Sequence, residues 1–219
     1  MGYIKWLGHA AFEILLDNKI IYIDPWITNP KSPIKVEEIT SADYVFVTHE
    51  HGDHLGEAFE IALKTEATFV SVYELAEKAK QRGVKNAIGA NMGGPIKLDD
   101  IEAYLVPAFH TGMPTGVVIK GNEATIYHAG DTAVFGDMAL IGELYSPDIA
   151  LLPIGGHFTM GPVEAAKAVE LIKPKAVIPM HYNTFPVISG DPNEFKNLVT
   201  KRLPEVKVVI LSPGDKYEF

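Results

Sequence analysis

The chain has 219 residues, 47% apolar and 21% charged, which is ordinary for a globular protein able to bury a core without covalent staples. Nineteen basic residues against 28 acidic ones give a net charge of −9, a poor electrostatic footprint for nucleic acid, and Arg82 and Arg202 are the only arginines. The absence of cysteine excludes disulfides and thiolate metal ligands; no apolar run approaches the roughly 20 residues of a membrane span, and Met1–Lys5 lacks the apolar core of a signal peptide.

These features predict a cytoplasmic protein with no membrane span and no nucleic-acid partner, organised as one domain over 1–219. In chain order, Tyr3–Leu7, Ala11–Leu16 and Ile20–Ile23 read as a strand meander with a turn at Asp17–Lys19. Tyr44–Val47 is a short apolar strand, Leu55–Leu63 a helix, Thr68–Val72 a strand, and Tyr73–Arg82 a helix stopped by Gly83. The second half repeats the theme. Ile101–Val106, Val117–Lys120 and Thr125–His128 read as strands, Phe135–Tyr145 as helix and Ile149–Pro153 as a buried strand. Pro162–Ile172 starts with proline, which is favoured at the first helical position because its missing amide would go unpaired there. Ala176–Pro179 as strand, Asn193–Arg202 as helix and Val206–Leu211 as a last strand complete the pattern. Two strand runs, each followed by βα units, predict two sheets packed face to face with helices outside, a four-layer αββα sandwich.

The polar residues of interest fall just after strands: Asp24, His49–His54, His110, Asp131, Gly155–His157 and His181. Loops along one edge of a sandwich would bring them together. Thr48-His49-Glu50-His51-Gly52-Asp53-His54 is the strongest signal. Its short loop can aim His49 and His51 at one metal and Asp53 and His54 at a second, with Gly52 permitting the tight backbone. Imidazole and carboxylate donors suit zinc, with manganese or iron as alternatives. His110, Asp131 and His181, each at the end of a separate strand, supply what a pair of divalent ions would still need.

The order H-x-H-x-D-H, a lone histidine, an aspartate in Gly130-Asp131-Thr132, and a final histidine resembles the metallo-β-lactamase superfamily over essentially the whole chain. That resemblance implies an αββα sandwich in which His49, His51 and His110 hold one metal, Asp53, His54 and His181 hold the other, and Asp131 bridges. Asp24, in Ile23-Asp24-Pro25, matches the superfamily's first motif, a carboxylate that supports the metal-binding loop. Gly8-His9-Ala10, Gly155–Pro162 and His181–Pro186 look closer still to the uncharacterised metal-dependent hydrolases related to L-ascorbate-6-phosphate lactonase.

His9 and His157 are candidate catalytic residues beside Asp53. The resemblance places His9 next to the metals, whereas a hairpin-turn histidine is the plainer alternative. His157 lies in a glycine-rich loop entering the helix at Pro162, and could bind an anionic substituent or protonate a leaving group. His128, ending a strand, reads as a satisfied core histidine. Two adjacent ions sharing a water lower its pKa toward neutrality, so hydrolysis needs no serine or cysteine nucleophile. The expected function is therefore a metal-dependent hydrolase of a small substrate, a lactone or ester first. A phosphodiesterase of the same fold and a non-catalytic metal or ligand sensor are the alternatives. Short rim loops at Trp26–Val36, Gly112–Gly116 and Phe185–Asp191 predict a pocket rather than a long groove, and a homo-oligomer is compatible with everything above.

Overall fold

The computed structural model describes all 219 residues. The strands are β1 Tyr3–Trp6, β2 Phe12–Leu16, β3 Lys19–Ile23, β4 Tyr44–Phe46, β5 Thr68–Val72, β6 Ala87–Ala90 and β7 Ile96–Leu98. They continue with β8 Ile101–Pro107, β9 Thr115–Lys120, β10 Thr125–His128, β11 Ile149–Pro153, β12 Ala176–Met180, β13 Lys207–Val208 and β14 Lys216–Glu218. The helices are α1 Gly52–Leu55, α2 Ala58–Thr65, α3 Tyr73–Gln81, α4 Met138–Tyr145, α5 Pro162–Ile172 and α6 Pro192–Arg202.

Two 7-stranded sheets form, in the orders β14-β1-β2-β3-β4-β5-β6 and β13-β12-β11-β10-β9-β8-β7. Each begins with antiparallel pairs and continues parallel, from β3 onward in one and from β10 onward in the other. One strand crosses over: β14 returns to β1 in the first sheet, whereas β7 makes a hairpin with β8 in the second. Helices α2 and α3 pack on β4–β6, while α4, α5 and α6 pack in series beside the second sheet. This is the αββα layering that the strand pattern predicts.

Local chemistry accounts for the elements. Asp17 and Asn18 both adopt positive φ, at 49° and 62°, the conformation a tight two-residue hairpin requires. Asp191 caps α6 by accepting the Asn193 N–H at 2.8 Å, and Glu164 reaches back to the Gly161 N–H at 3.1 Å to close the start of α5. The core is continuous: β4, β10, β11 and β12 are buried along their whole length, as strands covered on both faces must be.

The sequence reading needs correction in several places. The helix predicted over Leu55–Leu63 is two helices broken at Gly56, where φ is +42° and a Cβ would lie 2.3 Å from the Trp26 Cα. Phe135 precedes α4 instead of starting it, and its ring rests on Phe109 at 4.9 Å. Val206–Leu211 pairs only at Lys207–Val208, because the chain then leaves for the first sheet as β14. β6, β7 and β14 are absent from the sequence reading altogether.

Candidate functional site

The parallel strands of both sheets end on one edge, opposite the Asp17–Asn18 and Gly121–Asn122 hairpin turns, and that edge gathers every histidine except His128 and His157 into one cluster with Asp53 and Asp131. Three overlapping groups have ligand atoms within 4.8 Å of one another: His49, His51 and His110; His49, His54 and Asp131; and His9, Asp53, His54 and His181. Asp131 lies between them. Its Oδ2 is 3.4 Å from His110 Nε2, 3.2 Å from His181 Nε2 and 4.0 Å from His49 Nε2, and its Oδ1 is 3.1 Å from His54 Nε2.

The local folding explains this placement. Glu50 and Asp53 straddle a turn in which α1 starts immediately after His51, so that His54 points inward while His51 stays at the mouth. Asp24 is completely buried and saturated with donors. Its Oδ1 accepts the Thr48 N–H at 2.7 Å, and its Oδ2 accepts the Thr48 hydroxyl at 2.7 Å and His54 Nδ1–H at 2.6 Å. Thr48 O in turn accepts the N–H and hydroxyl of Thr115, both at 3.0 Å, tying the end of β4 to the start of β9 in the other sheet. The carbonyl of His9 accepts from Trp6 Nε1 at 3.0 Å and from the His181 N–H at 2.9 Å, which locks those two loops together. His9, Asp24 and His181 all hold left-handed backbone, with φ of 54°, 47° and 55°. Such strain persists only where the surroundings over-determine it, and it concentrates at functional sites.

Burial and charge set the protonation states. Burial is the main influence on His9 and His49 and pushes them down to about 4 and about 3, so both are neutral near pH 7. Burial also acts to raise the Asp131 carboxyl, but His54 and His181 outweigh it and hold the group well below the usual carboxylate range. Asp53 is likewise lowered, burial being outweighed by His9 and His54. Burial alone would lower His54; Asp131 and Asp24 overcome it and stabilise its protonated form. Neutral His49 and the ionised carboxylates are already in the forms that ligate cations, and His54 would release its Nε2 proton on binding one.

The residues fit metal ions on a second ground. His54 Nε2, Asp131 Oδ1 and both ring nitrogens of His181 are buried without a hydrogen-bond partner. Buried polar groups are rarely left so, and a shared cation is one of the few explanations for a cluster of them facing one another. His54 Nε2 and Asp131 Oδ1 are close at 3.1 Å yet misaligned for a hydrogen bond, as atoms aimed at a common third point would be.

The remaining candidates separate. His9 is wholly buried in the β1–β2 hairpin turn, and its ring enters the cluster: Nε2–H donates to Asp53 Oδ2 at 3.1 Å and Nδ1 accepts the Thr184 hydroxyl at 2.8 Å. His128 is the core residue expected: Nε2–H donates to Ala10 O at 2.9 Å and Nδ1 accepts the Gly130 N–H at 3.1 Å, which steadies the Asp131 loop. His157 belongs to none of the three groups. It is exposed on a loop anchored by the Met160 N–H to Thr132 O, with its ring edge-on to Phe158. Sequence reasoning missed Thr48, Thr115 and Thr184, whose hydroxyls hold the site's carboxylate, backbone and histidine. Only the position of Thr48 beside the histidine run carried a signal. The structure also adds an aromatic border: Trp26 and Phe185 stack at 5.9 Å, and each lies within 6 Å of the His9 ring.

Comparison with known proteins decides the family. The model of the beta-lactamase superfamily domain matches residues 19–182, most of the chain and nearly all of the cluster. The chain belongs to the metallo-β-lactamase superfamily. A UPF0173 metal-dependent hydrolase of Caldivirga maquilingensis is 60% identical over 220 residues, 98% of this chain and 97% of that protein. One from Thermofilum pendens is 56% identical over the full length of both. The structure of Igni18, a metallo hydrolase from the hyperthermophilic archaeon Ignicoccus hospitalis, superposes with a TM-score of 0.93 at 45% identity, covering 100% of this chain and 99% of that one. An isothiocyanate hydrolase from Delia radicum gut bacteria shares the fold at a TM-score of 0.81 and 18% identity. The chain is thus a metal-dependent hydrolase of this superfamily, and no helix in it is long and apolar enough to cross a membrane.

Proposed function

We propose that the hydrolase holds two divalent ions and cleaves an ester or lactone bond in a small substrate. The observation that carries this is the position of Asp131, with one oxygen facing His110 and His181 and the other facing His54. In this reading His49 Nε2, His51 Nδ1 and His110 Nε2 form one ligand set, Asp53, His54 and His181 form the other, and the Asp131 carboxylate spans both. The all-nitrogen-and-oxygen donor set favours zinc, with manganese or iron as alternatives.

Two bound ions would supply Lewis acidity and a water of lowered pKa. The chain's own residues do the rest. Asp24 holds His54 Nδ1–H, so that Nε2 is the nitrogen left to give up its proton to an ion, a supporting contact that such sites depend on. His9 holds Asp53 through its Nε2–H while Thr184 fixes the other ring nitrogen, so the carboxylate keeps one orientation and can accept a proton from a water at the site. Trp26 and Phe185 border the His9 side with apolar rings. His157, exposed on the neighbouring loop, is assigned to the leaving group as its proton donor in this reading, and an anion-binding role is the alternative that a charged substrate would require.

A panel of lactone, ester, thioester and bis-p-nitrophenyl phosphate substrates on metal-replete protein tests the proposal. Metal-dependent turnover of lactones or esters is the expected result. Turnover of the phosphodiester alone would replace it with a phosphodiesterase, and no turnover with both sites filled would leave a sensor.

A further inference from the structure

The wall on the His110 side of the site is apolar and open. Met92, Phe109 and Met113 are exposed by 52%, 61% and 38%, and line a cleft of about 700 Å3 that His110 also lines. Large hydrophobic side chains scattered singly over a surface need no explanation, but several facing one cavity beside a reactive centre do. This wall is built to hold its shape. Phe109 donates its N–H to the Thr132 hydroxyl at 3.0 Å, accepts the Ala133 N–H at 3.1 Å, and rests on Phe135. Gly112 keeps the same loop close to the cluster, since a Cβ there would lie 3.0 Å from His51 Nε2. Met92 faces the loop from the connection between β6 and β7, and its flexible thioether suits occupants of varied outline.

Charge decides what the cleft accepts. No lysine or arginine lines it, and Glu74 is its one ionisable neighbour apart from His110. The net charge of −9 adds a further cost for an anion. A phosphorylated or carboxylate-bearing substituent would enter unpaired. We infer that this cleft is the specificity subsite, and that the substrate is uncharged with an apolar chain or ring attached beside the scissile ester or lactone bond. The inference rests on the proposed hydrolase reading and narrows it. In the reaction water's oxygen bonds to the carbonyl carbon, the ester C–O bond breaks, and the departing oxygen takes the proton, while the apolar substituent lies against Phe109 and the two methionines.

The test uses the metal-loaded full chain. One series is p-nitrophenyl acetate, butyrate, hexanoate and octanoate; the other is γ-lactones with alkyl substituents of the same lengths. In at least one series kcat/KM should climb by about two- to fourfold per methylene until the cleft is filled, the increment expected for a CH2 leaving water. Mono-p-nitrophenyl glutarate, with a terminal carboxylate, should fall well below the ester of matching length. Met92 belongs to none of the candidate ligand groups, so Met92→Lys should keep the wild-type metal content. That variant should flatten the climb and improve glutarate relative to hexanoate. Flat series for both substrate classes, or a preference for the charged ester in the wild type, would overturn the subsite while leaving a working hydrolase. Absence of turnover across all substrates with metal fully loaded would instead overturn the hydrolase reading beneath it.

Discussion

His54 Nδ1 donates to Asp24 Oδ2 at 2.6 Å, and that contact turns the opposite nitrogen of His54 toward Asp131, where it lies 3.1 Å from Oδ1. Asp24 touches no substrate-facing surface, being wholly buried behind the cluster. Removing it should act through His54. Asp24→Ala is expected to weaken metal binding by about 10- to 100-fold, the range for lost supporting contacts at such sites, and to lower activity in step. Titration with zinc against a competing chelator measures this. Wild-type affinity in that variant would mean that His54 needs no orienting partner.

Asp131 faces histidines from both candidate ligand sets. Elemental analysis of reconstituted protein should approach two equivalents of metal per chain. Asp131→Ala should lose nearly all turnover and bind both ions more weakly. A saturating value of one equivalent in the wild type, or normal metal content and rate in the variant, would remove the shared carboxylate from the scheme.

His157 is exposed and separate from the cluster, so His157→Ala should keep the fold and the full metal complement. Its kcat/KM should drop by about one to three orders of magnitude. A proton-donating role makes the loss largest for poor leaving groups and small for p-nitrophenolate; an anion-binding role confines it to charged substrates through KM. A variant indistinguishable from wild type on every substrate assigns the loop no part in the chemistry.

His128 gives a pH signature without touching the candidate ligands. Burial lowers its pKa below the ordinary 6.5, so the folded protein keeps it neutral while the unfolded chain takes up a proton below that pH. The stability it contributes is therefore complete above about pH 6.5 and is lost as pH falls through 6.5 toward the depressed folded value, at up to about 1.4 kcal/mol per pH unit. Denaturant unfolding with chelator present, from pH 7.5 to 5.5, should show a shallower loss for His128→Gln than for the wild type. Parallel curves would mean that His128 is protonated in the fold.

Most of the site was legible because chemistry this specific cannot be diluted: His49, His51, Asp53 and His54 stand within one short loop, and Asp24, His110, Asp131 and His181 each follow an apolar strand. The sandwich was legible for the same reason, since strands such as Ile149–Pro153 and Ala176–Met180 are buried throughout and read as unbroken apolar runs. The edges were not. Ala87–Ala90 is half-buried throughout and weakly β-forming, and Lys216–Glu218 alternates over only 3 residues, too short a run to read as a strand. The break at Gly56 depends on the approach of Trp26, thirty residues away in sequence, and no local pattern reports it. The apolar cleft stayed hidden because Met92, Phe109 and Met113 sit in loops, where exposure is a property of the fold and not of the residue.

β14 is the one strand that leaves the sheet of its own half, so the C-terminal strand clasps the second half of the chain onto the first. Severed between Met92 and Gly93, the chain would give a first piece whose β1 edge lacks its partner and a second whose β14 has no sheet to join. The candidate ligands divide along the same cut, His49, His51, Asp53 and His54 on one piece and His110, Asp131 and His181 on the other. Each fragment is then an incomplete chelator as well as an incomplete sandwich, and zinc uptake on mixing the two would report their reassembly directly.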